Sequence, residues 1–262
     1  MESLPRPRRE KIAVTVLLRA SAFVGLLELR ALFGYLRGIS DNTSFPHERA
    51  VLPAIDRVLG FDLTPGQRLQ SWFFHGHPTK FDSFWLGIYD AWFLVPTVLT
   101  LYMVIFRWDL IRSYVAMRVL VYFLPLPIYL LMPSEPPWMA IHGLRIQSLM
   151  TAGIPFDANP VAAFPSMHVL TPVTIALWLA WKRLDVMAWV FWIFSGLTIF
   201  AVLYLGEHYL VDVLASLALA PTIVLLTRAV EQRVVARVPA MSEHLPAIAA
   251  FDDNVEANRA AA

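Results

Sequence analysis

Six apolar runs, each near the length a bilayer requires, constrain this chain more than any other feature. They fall at about Ile12–Leu36, Phe84–Phe106, Tyr114–Met132, Val169–Trp181, Val186–Leu205 and Leu210–Thr227. About 20 mostly apolar residues in a helix cross the hydrocarbon core. Composition agrees: 58% of the residues are hydrophobic and 16% are charged, where a soluble domain carries roughly 25% charged residues. The expected fold class is all-α, a polytopic integral membrane protein with six transmembrane helices. A bacterial plasma membrane is its expected home. Arg19, Glu28 and Arg30 interrupt the first run. A cleaved signal peptide is the rival for that segment, since Ala20-Ser21-Ala22 resembles a cleavage site, but Arg19 spoils its apolar region. The net charge of +1 and the lack of a basic-aromatic patch give nucleic acid no foothold. The absence of cysteine excludes disulfides, thiolate catalysis and Cys-ligated metals.

The runs divide the chain. Residues 1–11 form a basic N-terminus, residues 12–227 the membrane domain, and residues 238–262 an Ala-rich tail expected to be disordered. Residues 37–83 form a long polar connection with two expected surface helices. In the first, Leu52, Ile55, Val58 and Leu59 share one helical face; the second covers about Leu69–Phe74. Arg107 and Arg112 lie between the second and third runs, Lys182 and Arg183 between the fourth and fifth, and Arg228, Arg233 and Arg237 after the sixth. The positive-inside rule puts these loops and both termini in the cytosol. The 37–83 loop and the 133–168 stretch then face outward.

That second stretch, Pro133 to His168, is a Pro- and Gly-punctuated polar interruption. Bare in lipid, its unpaired backbone groups would each cost several kcal/mol, so it lines a cavity or lies at the surface. It opens with Pro133-Ser134-Glu135-Pro136-Pro137-Trp138 and closes with Phe164-Pro165-Ser166-Met167-His168. A third polar cluster, Gly206-Glu207-His208-Tyr209-Leu210-Val211-Asp212, opens the last run. His208 and Asp212 are spaced i, i+4, so they are neighbours on a helix. A carboxylate against one imidazole nitrogen sets the tautomer and leaves the other as a nucleophile or base. Ser166 stands at the N-cap of the fourth helix, whose free amides suit an anion. His168, two residues on, is placed to protonate a departing oxygen. Each feature alone has an ordinary structural explanation; Asp212, for example, would compensate a helix dipole. Their coincidence at one membrane face is the argument for a site.

The trio PSEPPW, FPSMH and HYLVD resembles the type 2 phosphatidic acid phosphatase (PAP2) superfamily of membrane phosphatases and phosphotransferases. Within it, the trio is most similar to the inositolphosphorylceramide-synthase-like branch. The likeness covers roughly residues 84–228. It implies a six-helix core, a phosphohistidine intermediate on His208 oriented by Asp212, His168 as general acid, and Ser166 on a phosphate oxygen. It also implies a membrane lipid phosphate as substrate, with water or an alcohol as acceptor, and no cofactor. The phosphatase pattern has a Lys and an Arg in its first motif and an Arg six residues before the nucleophile. This chain has Tyr129, Pro136 and Val202 there, and Met167 where phosphatases have Gly. Tyr129 and Trp138 are expected at the substrate. Arg145 is the nearest replacement cation, with Lys80, His75 and His77 behind it. His75-x-His77 lacks a third ligand, so no metal is expected. Arg118 is expected to snorkel toward the cytosolic end of the third helix, and Asp90 to border the pocket.

The resulting expectation is an enzyme that breaks a lipid phosphoester or phosphodiester at the outer face, with head-group transfer favoured over hydrolysis. A lipid-binding or transport protein using Arg19 and Glu28 is the rival from another class. A vanadate-dependent peroxidase ranks last, because its pocket needs more basic residues.

Overall fold

The apolar runs become helices whose ends follow local chemistry. The computed structural model describes residues 8–141, 146 and 161–237. Those residues form ten α-helices and no strand: α1 (Arg8–Gly38), α2 (Val51–Leu59), α3 (Pro65–Phe73), α4 (Lys80–Phe106), α5 (Ile111–Phe123), α6 (Leu126–Leu131), α7 (Pro137–Ala140), α8 (Met167–Trp181), α9 (Asp185–Tyr204) and α10 (Leu210–Arg237). Five stretches are long and apolar enough to cross a membrane: Ile12–Gly38, Lys80–Phe106, Trp108–Leu131, Asp185–Tyr204 and Leu210–Arg233. The expected fourth span, α8, has only 15 residues. The expected third span is broken between α5 and α6, where Pro125 and Pro127 cannot supply the amide hydrogens a continuous helix needs.

The short helix is the centre of the molecule. Twelve of the residues of α8, from Met167 to Leu179, are buried. It packs against α4, α5, α9 and α10. Trp178 is fully buried, and its indole donates to the Ser113 hydroxyl on α5 at 3.0 Å. At the same end of α8, Lys182 donates to both Glu231 oxygens at 2.7 Å. The guanidinium of Arg228 and the ammonium of Lys182 both lie over the Trp181 ring. The basic residues used to infer topology thus gather at the end of the bundle away from the histidines.

Arg118 does not snorkel. It is buried, and it donates to the Tyr122 hydroxyl one turn further along α5. A charged group inside a membrane protein turns to protein partners when they are closer than the interface.

The 37–83 connection makes the two expected short helices, α2 and α3. In α2 the buried residues are Leu52, Pro53 and Asp56, while Ile55, Val58 and Leu59 are exposed. An exposed apolar face on a helix beside the bilayer suits burial in the interface. Asp56 points inward because it has a job there: its Oδ1 accepts from the Val211 amide at 3.0 Å and so caps α10. Burial pushes the Asp56 carboxyl up to about 6, against the opposing pull of the Val211 and Leu210 amides. Gly60 ends α2 where a Cβ would sit 1.9 Å from the Leu63 carbonyl oxygen. The elbow continues through Phe61 and Asp62, both at positive φ. Thr64-Pro65-Gly66-Gln67 then starts α3 with a reciprocal capping box. Gln70 of α3 donates to the Tyr204 carbonyl at 2.7 Å, locking the elbow to the end of α9. Asp82, in the first turn of α4, accepts from the Thr79 amide at 2.7 Å and from the Tyr204 hydroxyl. The ends of α3, α4 and α9 are thereby tied together beside the histidines.

Candidate active site

All three polar clusters meet at one end of the bundle, and backbone hydrogen bonds stitch them together. Ser134 pairs with Glu48 on one side and Ala162 on the other as parallel bridges. The Ser134 amide donates to the Val161 carbonyl at 2.6 Å, and its hydroxyl accepts from the Phe164 amide at 2.9 Å. Glu48 is the pivot of this seam. Its backbone bonds Pro133 and Glu135, while its carboxylate accepts from the amides of Ala50, Val51 and Leu52. Burial alone would raise this carboxyl, but those amides and that of Arg49 hold it below its ordinary value. Pro133–Trp138 and Val161–His168 are thus held edge to edge.

The third cluster is placed by the end of α9. Gly206 takes φ +78°, a left-handed conformation open to glycine. The chain folds back so that the Glu207 and His208 amides both donate to the Val202 carbonyl, at 3.0 and 3.2 Å. The Gly206 carbonyl accepts from the Trp138 amide at 3.2 Å. The Ser166 amide donates to the Asp212 carbonyl at 3.4 Å, and the Ser216 hydroxyl lies 2.9 and 2.8 Å from the Ser166 and Asp212 carbonyls. The starts of α8 and α10 are therefore fixed to each other.

These ties align three side chains. Asp212 Oδ2 lies 3.2 Å from His208 Nδ1 and also accepts from the Tyr209 amide at 2.9 Å. His208 Nε2 lies 3.2 Å from His168 Nδ1. A carboxylate against Nδ1 keeps the proton on that nitrogen, so Nε2 carries the lone pair. His168 Nδ1–H then donates to it. Asp212 is completely buried, and both rings are nearly so. The His168 ring is clamped by α4: Tyr89 stacks on it with centroids 4.5 Å apart, Trp92 lies at 4.5 Å and Phe93 at 6.4 Å. A narrow pocket opens onto the two rings, with a free volume of about 20 Å³. That is room for about one water.

His168, His208 and Trp138 line the pocket, as expected, and Asp212 stands behind His208. Ser166 occupies the N-cap of α8, with its hydroxyl buried and unpartnered among the described residues. Other expected residues stand elsewhere. Tyr129 is off the pocket wall: it is fully buried and donates to the Pro165 carbonyl at 2.6 Å, bracing the FPSMH segment. Val202 is core. Lys80 is exposed at the first turn of α4 and does not reach the pocket wall, and Asp90 is exposed one residue past Tyr89. Arg145 lies outside the described residues.

Sequence reasoning missed Tyr89, Glu207 and Arg37, all on the pocket wall. Glu207 could have been found by its place beside His208. Arg37 had a fainter signal. Leu26, Arg30, Phe33 and Arg37 are spaced i, i+4, i+7, i+11 and so share one face of α1.

The fold and the site define a helical membrane protein with an Asp–His–His relay at one end of its bundle. The PAP2 superfamily model matches residues 50–226. The chain belongs to that superfamily, whose members generally act as phosphatases. No curated protein and no solved structure matches the chain.

Proposed function

We propose that the protein is a lipid phosphotransferase of the outer membrane face, working through a phosphohistidine on His208. The observation that carries this is the Asp212–His208–His168 relay, with its two 3.2 Å contacts. His208 Nε2 attacks phosphorus and the bond to the first alcohol's oxygen breaks. His168, entering the step as the imidazolium, gives a proton to that oxygen and is left neutral. A second alcohol, or water, then passes its proton to His168 and attacks phosphorus. The P–N bond breaks, releasing the new ester and restoring His208. Asp212 holds the His208 tautomer and balances the charge that forms on its ring. Both termini would lie in the cytosol, consistent with Lys182, Arg183 and Arg228 at the far end of the bundle.

A phosphodiester is favoured as donor over a monoester. Among the described residues, the pocket wall carries one arginine, Arg37, and one carboxylate, Glu207. A diester brings one negative charge, whereas a monoester near neutral pH brings about two. Burying a second charge without partners costs several kcal/mol. This keeps the likeness to the inositolphosphorylceramide-synthase-like branch, in which a head group passes to a new alcohol.

The test incubates purified protein with labelled lipid phosphodiesters, phosphatidic acid and polyprenyl phosphates, with and without inositol. Transfer from a diester should exceed monoester hydrolysis by at least about tenfold, a barrier difference of roughly 1.4 kcal/mol. His208→Ala should abolish both turnover and the acid-labile phosphoenzyme. His168→Ala should slow the reaction by about 10²–10⁴, and by less on a nitrophenyl ester, which leaves without a proton. Rapid phosphate release from phosphatidic acid would overturn the preference for transfer.

A further inference from the structure

We infer that Arg37, delivered by α1, is the phosphate-binding cation of this site. The inference rests on the histidine chemistry proposed above and supplies what that chemistry lacks. The three positions that are basic in the phosphatase pattern hold Tyr129, Pro136 and Val202. Tyr129 and Val202 are fully buried and do not line the pocket, and Pro136, which does, has no charge to offer. Arg37 is the arginine among the described residues that shares the pocket wall with His168 and His208. It comes from outside residues 50–226, the part the family model describes.

The way α1 is seated explains how a helix exposed along most of its length reaches the centre. Its inward face is Leu26, Arg30, Phe33 and Arg37. Phe33 is buried and stacks on Tyr122 at 5.1 Å. Arg30 Nη1 donates to the Phe93 carbonyl at 3.0 Å and the Thr97 hydroxyl at 3.1 Å. Its guanidinium lies over the Trp92 and Phe93 rings, two of the three α4 rings around His168. Arg30 is therefore a positioning residue, fixing α1 to α4, whose aromatic rings pack on His168. Two turns on, Arg37 is carried to the pocket mouth, half-buried. A guanidinium there offers a planar fork to two phosphate oxygens, which a lysine cannot match. An arginine in the last turn of a helix also complements its dipole, but that role asks only for charge near Gly38, not for a place beside two histidines.

The test uses orthovanadate as the phosphate-like probe, with calorimetry on the full chain in detergent or nanodiscs. Arg37→Gln should weaken vanadate binding at least tenfold, the range for losing a charge-assisted hydrogen bond. Arg112→Gln, at the opposite end of the bundle, should leave it unchanged. In case Arg37→Gln fails to fold, the unmodified protein is treated with phenylglyoxal and the modified arginines are located by mass spectrometry. Saturating vanadate should slow modification of Arg37 at least tenfold and leave the exposed Arg112 unaffected. Unaltered binding in Arg37→Gln, no protection of Arg37, or no vanadate binding by the unmodified protein would each overturn the assignment. His208→Ala separates the two ideas, since it should still bind vanadate through Arg37. Arg37-dependent binding without a phosphoenzyme would sink the histidine mechanism alone. A phosphoenzyme with Arg37-independent binding would sink this inference alone.

Discussion

α8 has 15 residues, twelve of them buried, whereas α1 has 31 and only 6% of its most apolar window lies inside the protein. α8 is apolar almost throughout but short, whereas α1 carries Arg19, Glu28 and Arg30 and has the length to span a bilayer. The fold uses them in opposite ways. α8 carries His168, whose Nδ1 stands 3.2 Å from His208 Nε2, and it is packed by α4, α5, α9 and α10. α1 carries Arg37, a long flexible side chain that can reach for an anion from a helix mostly facing lipid. The contrast teaches that the length to span a bilayer does not order helices by depth in a membrane protein. Lipid is as apolar as a leucine side chain, so an exposed apolar helix loses little, and association is decided by packing and by polar contacts.

The largest test of that contrast removes packing from the centre. Trp178→Ala in α8 should cost about 3–5 kcal/mol in unfolding from detergent micelles, since it empties a fully packed site. Leu17→Ala in α1, at a side chain 64% exposed, should stay within roughly 0.5 kcal/mol. Comparable losses would mean that α1 is more tightly packed in the membrane than its surface suggests.

The next effect belongs to the periphery, where α2 caps α10 through Asp56. Its carboxyl is raised from an ordinary 3.8 to about 6, first by burial and further by the nearby Asp212 charge. The folded state therefore holds this proton more tightly than the unfolded chain does. The stability so gained is fully present below about pH 3.8 and is lost as pH rises through 6. At about 1.4 kcal/mol per unit, roughly 3 kcal/mol is at stake. Hydrogen exchange at α2 and at the first turn of α10, corrected for its intrinsic rise with pH, should therefore quicken between about pH 4 and 6. Asp56→Asn, which imitates the protonated form and still accepts from Val211, should flatten that dependence. A slope that persists in the variant would assign the effect to another group.

A smaller effect should follow from releasing α1 alone. Arg30→Met removes two hydrogen bonds to α4, worth about 1.5–3 kcal/mol for a charged donor. It should raise exchange along residues 26–37 while leaving α8 protected. The same variant should weaken vanadate binding by less than Arg37→Gln does, because Arg30 acts only by seating the helix. Equal losses in the two variants would make Arg30 a direct ligand.

What the sequence determined by itself was set by local and one-dimensional rules. Bilayer-length apolar runs can only be helices, and helix spacing puts His208 and Asp212 together whatever surrounds them. The three clusters were legible because polar residues have few reasons to interrupt such runs. The PSEPPW, FPSMH and HYLVD trio carried the family. The tertiary structure decided everything that depends on which face of a helix meets which neighbour. Leu52, Ile55, Val58 and Leu59 marked α2 as a short surface helix, but not that Asp56 would turn inward, because that depends on the amides of α10 lying beside it. Tyr129, a plausible substrate contact in one dimension, turned out to brace Pro165. Arg37 sat at the edge of a polar loop in the sequence. Its place beside the histidines depends on Arg30 and Phe33 meeting α4 and α5, and a contact between helices more than forty residues apart leaves no local mark in the chain.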